Sequence, residues 1–204
     1  DRGERVEICP CSSDPDSLDA VIFHNKKVVI MDGTSPHTVD PAYPGVCEAI
    51  VNLSDCWKKD SFDAHRAEIL ALTRKNKELH ARASRYIKAA GSLIDDIYRI
   101  SLDSTDTQRT AEFAQKIASR LISQGTHAKE HKRFLSGVTP QGLVFFKNTV
   151  QKHADTIIGI EDEFGVVSNV MLSVIREMAL SANREIYTCY NTVTTNRIDH
   201  IIIP

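Results

Sequence analysis

The first third of the chain consists of short apolar runs separated by polar loops. Residues 6–9, Leu18–Phe23 and Val28–Met31 each have the length of a β-strand. The third run has no polar alternation, which is expected of a strand buried on both faces of a parallel sheet covered by helices. The pattern therefore predicts the strands of an α/β unit.

The middle third has a helical pattern. Over residues 61–100, apolar or small residues recur with spacings that alternate between three and four, which is typical of a helix packed lengthwise on a partner. This seam consists of Ile69, Leu72, Asn76, Leu79, Ala83, Tyr86, Ala90, Leu93, Ile97 and Ile100. A second helix is predicted over 107–123. Together the two helices predict a helical hairpin that projects from the α/β body.

The last third returns to an α/β pattern. Residues 139–142 are expected to cap a helix that runs to about His153, and residues 156–160 have the β-branched composition of a buried strand. An acidic loop then precedes a predicted helix over 166–181. Strands predicted over 185–189 and 198–203 complete this unit.

The two ends of the chain resemble each other. Residues 7–11 match residues 185–189 at an offset of 178, and after a two-residue insertion 18–23 match 198–203. This predicts an internal repeat, with most of one α/β unit followed by the beginning of a second. Because the chain starts without Met and ends on a β-branched run, we expect a fragment, a processed chain or the product of an incomplete gene.

Composition narrows the class of protein without identifying it. Among 204 residues, 25 Lys and Arg stand against 27 Asp and Glu, so a net charge of −2 excludes a histone-like protein that coats polyanions. No apolar run reaches the ~20 residues that a membrane-spanning helix needs. The five cysteines lack the spacing of a disulfide framework. We therefore expect a cytoplasmic protein with reduced thiols and no membrane partner.

Asp32 follows directly on the apolar run Val28–Met31, which gives the pattern of a Walker B strand. Open α/β sheets bind ligands beyond the carboxyl ends of their strands, where a carboxylate can hold the water shell of Mg²⁺ beside nucleotide phosphates. Asp32 is therefore the candidate catalytic and metal-binding residue. The alternative is a carboxylate that caps the turn formed by Asp32 and Gly33.

A Walker B strand works together with a phosphate-binding loop, Gly-x-x-x-x-Gly-Lys-Ser/Thr, whose backbone N–H groups cradle phosphates. In the first unit that loop would lie before residue 1. In the second unit its place is taken by residues 161–168, which contain no Lys and three acids, Glu161, Asp162 and Glu163. These carboxylates would repel a triphosphate at short range. We expect this loop not to bind ATP.

Residues 11–19, 32–37 and 40–45 together resemble a bacterial family of tandem P-loop ATPases, sometimes labelled nucleotide kinases. The resemblance spans nearly the whole chain. It implies a P-loop NTPase-like parallel sheet with a long helical-hairpin insertion, and ATP and Mg²⁺ as cofactors. Its three parts would be a first α/β unit (1–60), the hairpin (61–124) and the start of a second, degenerate unit (125–204). Without an intact phosphate-binding loop, the chain alone would be an inactive form.

The polar loop after the first strand supplies further candidates for a site. Together with the later His37 and the acidic loop, the candidate cofactor-binding residues are Ser12, Ser13, Asp14, Asp16, His37 and Ser168. Asp19 joins the loop acids as a group with the chemistry to hold a metal or a phosphate-linked ligand. The commoner use of such an Asp-Pro cluster is a turn and a helix N-cap.

Zinc has candidate ligands along the first third of the chain, namely Cys9, Cys11, Cys47, Cys56, His24 and His37. The Cys-x-Cys spacing is not that of a zinc knuckle, so buried thiols are the favoured interpretation.

The long helix has two surfaces that can bind a partner, a basic face and the apolar seam. Its basic residues are opposed only by Glu78 within fifteen residues: Arg74, Lys75, Lys77, Arg82, Arg85 and Lys88. Such a face can meet nucleic acid, an acidic partner or anionic lipid, although a solvated face is favoured. The seam needs cover that the shorter second helix cannot fully supply, so its remainder must pack on the α/β body or on a second copy of the chain. We expect a homodimer through the hairpin around Asn76, Leu79, Ala83 and Tyr86, and a non-catalytic protein-interaction module is the alternative function.

Overall fold

The computed structural model describes residues 3–4, 6–35 and 37–204. Pro36, within the motif at 32–37, lies outside the described residues, as do Asp1, Arg2 and Arg5. The described chain is a mixed α/β protein with three small sheets and one long helix. It divides into two compact units, Asp1–Arg82 and Ala83–Pro204.

The first unit contains the three strands expected from the sequence. β1 (Val6–Pro10), β2 (Leu18–Phe23) and β3 (Val28–Met31) form one sheet in that order. Both pairs are antiparallel, which corrects the expectation of a parallel sheet here. The reason is the four-residue turn over 24–27, because parallel neighbours need a crossover connection of a dozen or more residues.

The prediction that β3 is buried on both faces is wrong. Among the described strands it pairs only with β2, so it lies at the edge of the sheet. Its four side chains are 46–63% exposed. A β-branched run favours an extended backbone, but it does not determine how many layers cover the strand.

The predicted long helix is confirmed. A long loop, a 3₁₀ turn (Ser54–Cys56) and a short helix α1 (Lys59–Ala64) precede α2 (Arg66–Asp103), which has 38 residues. Residues 46–53, all of them described, form neither the short helix nor the strand expected there. None of the described helices combines the length and the apolarity needed to cross a bilayer.

The second predicted helix is also confirmed as α3 (Thr107–Leu121). Asp106 caps it by accepting a hydrogen bond from the Arg109 N–H at 2.9 Å. α3 packs against α5 (Val166–Ser181), and its buried residues are the small Ala114 and Ala118. The second arm of the expected hairpin is therefore part of the packing of the second unit.

The second unit is built on a mixed sheet. β4 (Lys129–Arg133) lies parallel to β7 (Glu185–Tyr190), and β8 (Ile198–Ile202) lies antiparallel to β7 on its other side. The central β7 carries the buried residues Ile186, Thr188 and Cys189. α5 packs against β7 and β8. The parallel sheet expected for this unit is thus present only in the β4–β7 pair.

Residues 136–145 form a β-hairpin, which corrects the expectation that residues 139–142 cap a helix. β5 (Ser136–Thr139) pairs with β6 (Gly142–Phe145). The Thr139 hydroxyl donates to the Gly142 carbonyl and accepts from the Gln141 N–H. Gly142 has a φ of +104°, which favours glycine. Only α4 (Lys147–His153) of the expected helix is present.

The strand expected over residues 156–160 is absent from this fully described segment. No described strand pairs with it, and Ile157 and Ile158 are 60% and 56% exposed. A β-branched run without a hydrogen-bonding partner strand does not form a sheet. The acidic loop at 161–165 therefore precedes α5 without the strand that a phosphate-binding loop normally follows.

The ends of the chain are equivalent hairpins, but in a different register from the one predicted. In each hairpin the strand register shifts directly after a cysteine, between Cys9 and Pro10 in β1 and between Cys189 and Tyr190 in β7. In each, the loop is closed by the same backbone bond, from Cys11 to Ser17 (3.0 Å) and from Asn191 to Arg197 (2.9 Å). The offset is therefore 180 without an insertion. The Glu-Ile identities that suggested 178 do not occupy equivalent positions.

The C-terminal half of α2 is anchored to the loop between β7 and β8. A Cβ on the buried Gly91 would lie 3.3 Å from the Val193 carbonyl oxygen, so the helix backbone lies close against that loop. Arg197 from the same loop binds Asp95 and lies 3.9 Å from the centre of the Tyr98 ring. These contacts fix this segment of α2 within the second unit.

Candidate functional site

The loop between β1 and β2 holds four of the predicted cofactor-binding residues, Ser12, Ser13, Asp14 and Asp16. All four are exposed. The Asp14 carbonyl accepts hydrogen bonds from both the N–H and the hydroxyl of Ser17, each at 2.9 Å. The backbone of this segment thus forms the turn that the Asp-Pro pattern favours.

Asp32 begins the loop that follows β3. Its N–H donates to the Asp19 carbonyl at 2.8 Å, so the chain leaves the sheet directly beside β2. Its two carboxylate oxygens accept from the N–H and the hydroxyl of Thr34, both at 2.9 Å. The hydrogen bond from the Thr34 N–H, followed by that from its hydroxyl, holds the pKa of Asp32 below its ordinary value of 3.8. Asp32 is therefore ionised at neutral pH and stabilises the turn.

The turn at Thr34 places the His37 side chain beside Asp19 of β2. The His37 N–H donates to the Thr34 carbonyl at 2.8 Å, and its imidazole Nε2 lies 3.5 Å from Asp19 Oδ2. The Cys11 thiol completes a cluster in which the donor atoms of Cys11, Asp19 and His37 all lie within 4.8 Å of one another. All three residues are partly buried.

The structure thus brings together His37, Asp19 and Cys11 beside the turn that Asp32 stabilises. The sequence identified each of these residues separately but not their combination. Cys11 follows Pro10 and Asp19 follows Leu18, and Pro10 and Leu18 are paired across the β1–β2 hairpin. The sequence carried no signal of this register. Ser168 belongs to the second unit, in α5.

In the acidic loop before α5, the Asp162 carboxylate accepts hydrogen bonds from backbone N–H groups at the start of the helix. Asp162 Oδ2 accepts from the Ser168 N–H at 2.7 Å, and Oδ1 accepts from the Phe164 N–H at 3.2 Å. Gly165 precedes the helix with a φ of +78°. Burial raises the pKa of Asp162, but the hydrogen bonds from Ser168, Phe164 and Gly165 outweigh it, and the net pKa lies below 3.8.

A second polar cluster joins β4, α5 and β7 inside the second unit. The Arg176 guanidinium donates to both Glu130 oxygens at 2.6 and 2.7 Å, and the fully buried Thr188 donates to Glu130 Oε1 at 2.6 Å. The hydrogen bonds from Arg176 lower the pKa of Glu130 from 4.5 to about 2. Both oxygens of the Glu130 carboxylate thus accept hydrogen bonds from within the second unit, which indicates a structural role.

A shallow depression lies at the carboxyl ends of the parallel strands β4 and β7. It is lined by Lys132, Arg133, Phe134, Tyr190 and Thr195. This is the edge at which α/β sheets bind ligands. Two of its lining residues, Lys132 and Arg133, are cationic.

Comparison of the chain with protein-family models, with curated proteins and with solved structures found no match.

Proposed function

We propose that this chain is a protein of the P-loop ATPase type whose loop at 161–168 holds no nucleotide, so that the chain alone neither binds ATP tightly nor hydrolyses it. The proposal rests on the sequence resemblance to tandem P-loop ATPases, in which ATP and Mg²⁺ are the cofactors. The observation that carries the absence of a nucleotide is that the Asp162 carboxylate accepts hydrogen bonds from the N–H groups of Phe164 and Ser168.

The N-terminus of α5 offers the N–H groups and the positive end of the helix dipole that a phosphate needs. Asp162 already supplies an anion there, and it is held at short range by the loop. A phosphate would have to displace this carboxylate and approach Glu161 and Glu163. Without a Lys to offset these charges, the Coulomb repulsion opposes binding.

We expect isothermal titration of the full chain with Mg-ATP to show no saturable heat in the micromolar range, and a phosphate-release assay to show no turnover. The reason is that residues 161–168 contain no Lys, and that the N–H groups of Phe164 and Ser168 already donate to Asp162. Micromolar binding accompanied by turnover would contradict the proposal.

Replacing Asp162 with Ala is expected to lower the free energy of unfolding by about 1 kcal/mol at pH 7, the usual contribution of a side chain that caps a helix. Because the pKa of Asp162 is lowered in the folded state, its contribution is present above pH 4 and is lost as the pH falls further below 3.8. Urea denaturation at pH 7 and pH 3 measures this difference. Glu163→Ala, in the same loop but exposed, is the matched control and should have little effect.

A second candidate function is favoured by the exposed seam of α2. Leu72, Leu79 and Tyr86 are 58%, 52% and 64% exposed. Covering large apolar side chains in an interface stabilises them by roughly 1.5–3 kcal/mol each. We therefore propose, as the alternative, that the chain is a non-catalytic interaction module that forms a homodimer through this helix.

The double variant Leu79→Asp with Tyr86→Asp is expected to be a folded monomer, whereas the wild type is a dimer in light scattering at high micromolar concentration. The reason is that two buried, unpaired carboxylates per chain would oppose the helix–helix interface. Ala81→Asp adds a charge on the opposite side of the same helix and should leave the dimer intact. A monomeric wild type at that concentration would exclude the dimer.

A further inference from the structure

We propose that Cys11, Asp19 and His37 form a binding site for Zn²⁺ that leaves one coordination position open. The site belongs to the first unit alone and uses no residue of the acidic loop at 161–168. It therefore goes beyond the proposed function and does not depend on nucleotide binding.

The three donors match the ligands that zinc uses in proteins. Thiolate sulfur, imidazole nitrogen and carboxylate oxygen bind Zn²⁺ at about 2.0–2.3 Å, so the donor atoms of a tetrahedral site lie roughly 3.3–3.8 Å apart. His37 Nε2 and Asp19 Oδ2 are 3.5 Å apart, and the whole set lies within 4.8 Å. Only a small movement of the Cys11 side chain is needed to complete this geometry.

The chemistry of the donors also selects the ion. Mg²⁺ and Ca²⁺ require oxygen ligands, and Mg²⁺ binds in a near-octahedral shell at 2.0–2.1 Å that usually retains several waters. A thiolate and an imidazole favour a borderline-soft metal such as zinc. Three protein ligands leave the fourth tetrahedral position for water or for an oxyanion, as in zinc sites that keep an open position.

The backbone holds the three donors before any metal binds. Cys11 is fixed by its N–H bond to Ser17, which closes the β1–β2 loop at 3.0 Å. Asp19 lies in β2, the central strand of the sheet, which is flanked by β1 and β3. His37 is fixed by its N–H bond to the Thr34 carbonyl. Such preorganisation reduces the conformational entropy lost on binding.

The equivalent hairpin of the second unit shows that side chains at these two positions meet. Asn191 and Asp199 correspond to Cys11 and Asp19 at the offset of 180, and the Asn191 amide donates to both Asp199 oxygens at 3.3 and 3.1 Å. The second hairpin thus joins the two positions by hydrogen bonds. The first hairpin has a thiol in place of the amide and adds His37 at the same place, which converts the pair into a set of metal ligands.

The competing explanation is an ion pair between His37 and Asp19 beside a partly buried thiol. The two explanations differ in whether the thiol binds a metal. Cobalt(II) reports this directly, because a thiolate bound to cobalt gives a charge-transfer absorption in the near ultraviolet and a tetrahedral site gives intense visible bands.

The experiment is a titration of the full chain, under reducing conditions, with Co²⁺ and then with Zn²⁺ in competition. We expect one Co²⁺ per chain with the thiolate band, displaced by one equivalent of Zn²⁺. Cys11→Ser should abolish the band, and His37→Asn should weaken binding by at least about tenfold. Cys47→Ser, at an exposed cysteine, is the matched control and should bind as the wild type does. A wild type without the thiolate band, or a band that survives Cys11→Ser, would overturn the site.

A second measurement does not depend on the folding of any variant. Alkylation of the native chain, followed by mass spectrometry of each cysteine, should show that Zn²⁺ slows modification of Cys11 but not of the exposed Cys47 and Cys56. Equal rates at Cys11 with and without Zn²⁺ would contradict the proposal. Neither measurement contains nucleotide, so failure of the zinc site and failure of the proposed function are distinguishable.

Asp32 is assigned the role of a positioning residue for this site, because its carboxylate holds the Thr34 turn that returns His37 to the sheet. Asp32→Ala is expected to weaken Co²⁺ binding about tenfold, the effect usual for a group that orients a ligand. Asp32→Asn keeps an oxygen that accepts the Thr34 N–H and should restore most of the affinity. Equal loss in both variants would instead indicate that the charge of Asp32 acts on the metal.

Discussion

Replacing Arg176 with Met is expected to lower the free energy of unfolding by about 3 kcal/mol at pH 7. The substitution keeps an unbranched side chain of comparable length, but it leaves the Glu130 carboxylate, only 16% exposed, without its bidentate partner. A buried charge whose partner is removed typically costs 3–5 kcal/mol. The pKa of Glu130 gives a similar magnitude, because a fall from 4.5 to about 2 corresponds to roughly 3 kcal/mol.

The pH dependence gives this prediction a specific sign. The pKa of Glu130 is lower in the folded state than its ordinary value of 4.5, so its contribution is fully present above about pH 5 and is lost progressively as the pH falls towards 2. The difference in stability between the wild type and Arg176→Met should therefore shrink over that range.

Guanidinium denaturation at several pH values measures this difference. The matched control is Arg99→Met, which removes the exposed i,i+3 pair with Asp96 in α2 and should change stability by less than about 0.5 kcal/mol. A difference for Arg176→Met that is as small as that of the control would show that the cluster of Glu130, Arg176 and Thr188 does not stabilise the second unit.

The elements that the sequence predicted correctly are those whose signal is local. The seam spacing of α2 and the β-branched composition of β1, β2, β3, β7 and β8 depend on side chains within one segment, and these elements are present. The pairing of those strands was not predictable in the same way. The direction of β2 and β3 is set by the short turn over 24–27, which carries more information about topology than the apolar run that follows it.

The candidate site shows the same limit. Cys11, Asp19 and His37 were each recognisable as chemically capable residues, but they are separated by up to 26 positions along the chain. Their proximity depends on the β1–β2 register and on the Thr34 turn, both of which are tertiary features. The repeat offset failed for a related reason, because identities in a short match carry less information than the position of a bulge.

The segments predicted wrongly are those where a local preference has no tertiary partner. Residues 156–160 have strand composition but no neighbouring strand among those described. At 139–142 the Thr139 hydroxyl bonds within a hairpin turn and not to the N-terminus of a helix. In both cases the composition was compatible with two structures, and the surrounding chain determined which of them formed.

Replacing Gly125 with Ala is the other substitution for which we expect a large effect, a loss of about 3 kcal/mol in the free energy of unfolding. A Cβ at this position would lie 2.2 Å from the carbonyl oxygen and 2.8 Å from the carbonyl carbon of Asn183. These are backbone atoms of the turn between α5 and β7, so no side-chain rotation can relieve the overlap. Relief requires separation of the two segments, which would break the 2.7 Å bond from the Gly125 N–H to the Ala182 carbonyl.

The measurement is the shift of the denaturation midpoint caused by Gly125→Ala, compared with the shift caused by the same substitution at a glycine whose surroundings leave room for a methyl group. A Cβ on Gly159 would have no heavy atom within 4 Å, so Gly159→Ala should be neutral to within about 0.5 kcal/mol. Gly125→Ser should be at least as destabilising as Gly125→Ala, because any side chain begins with the same Cβ. Equal stability of the Gly125 and Gly159 variants would mean that the connection from α3 to β4 does not lie against the turn that follows α5.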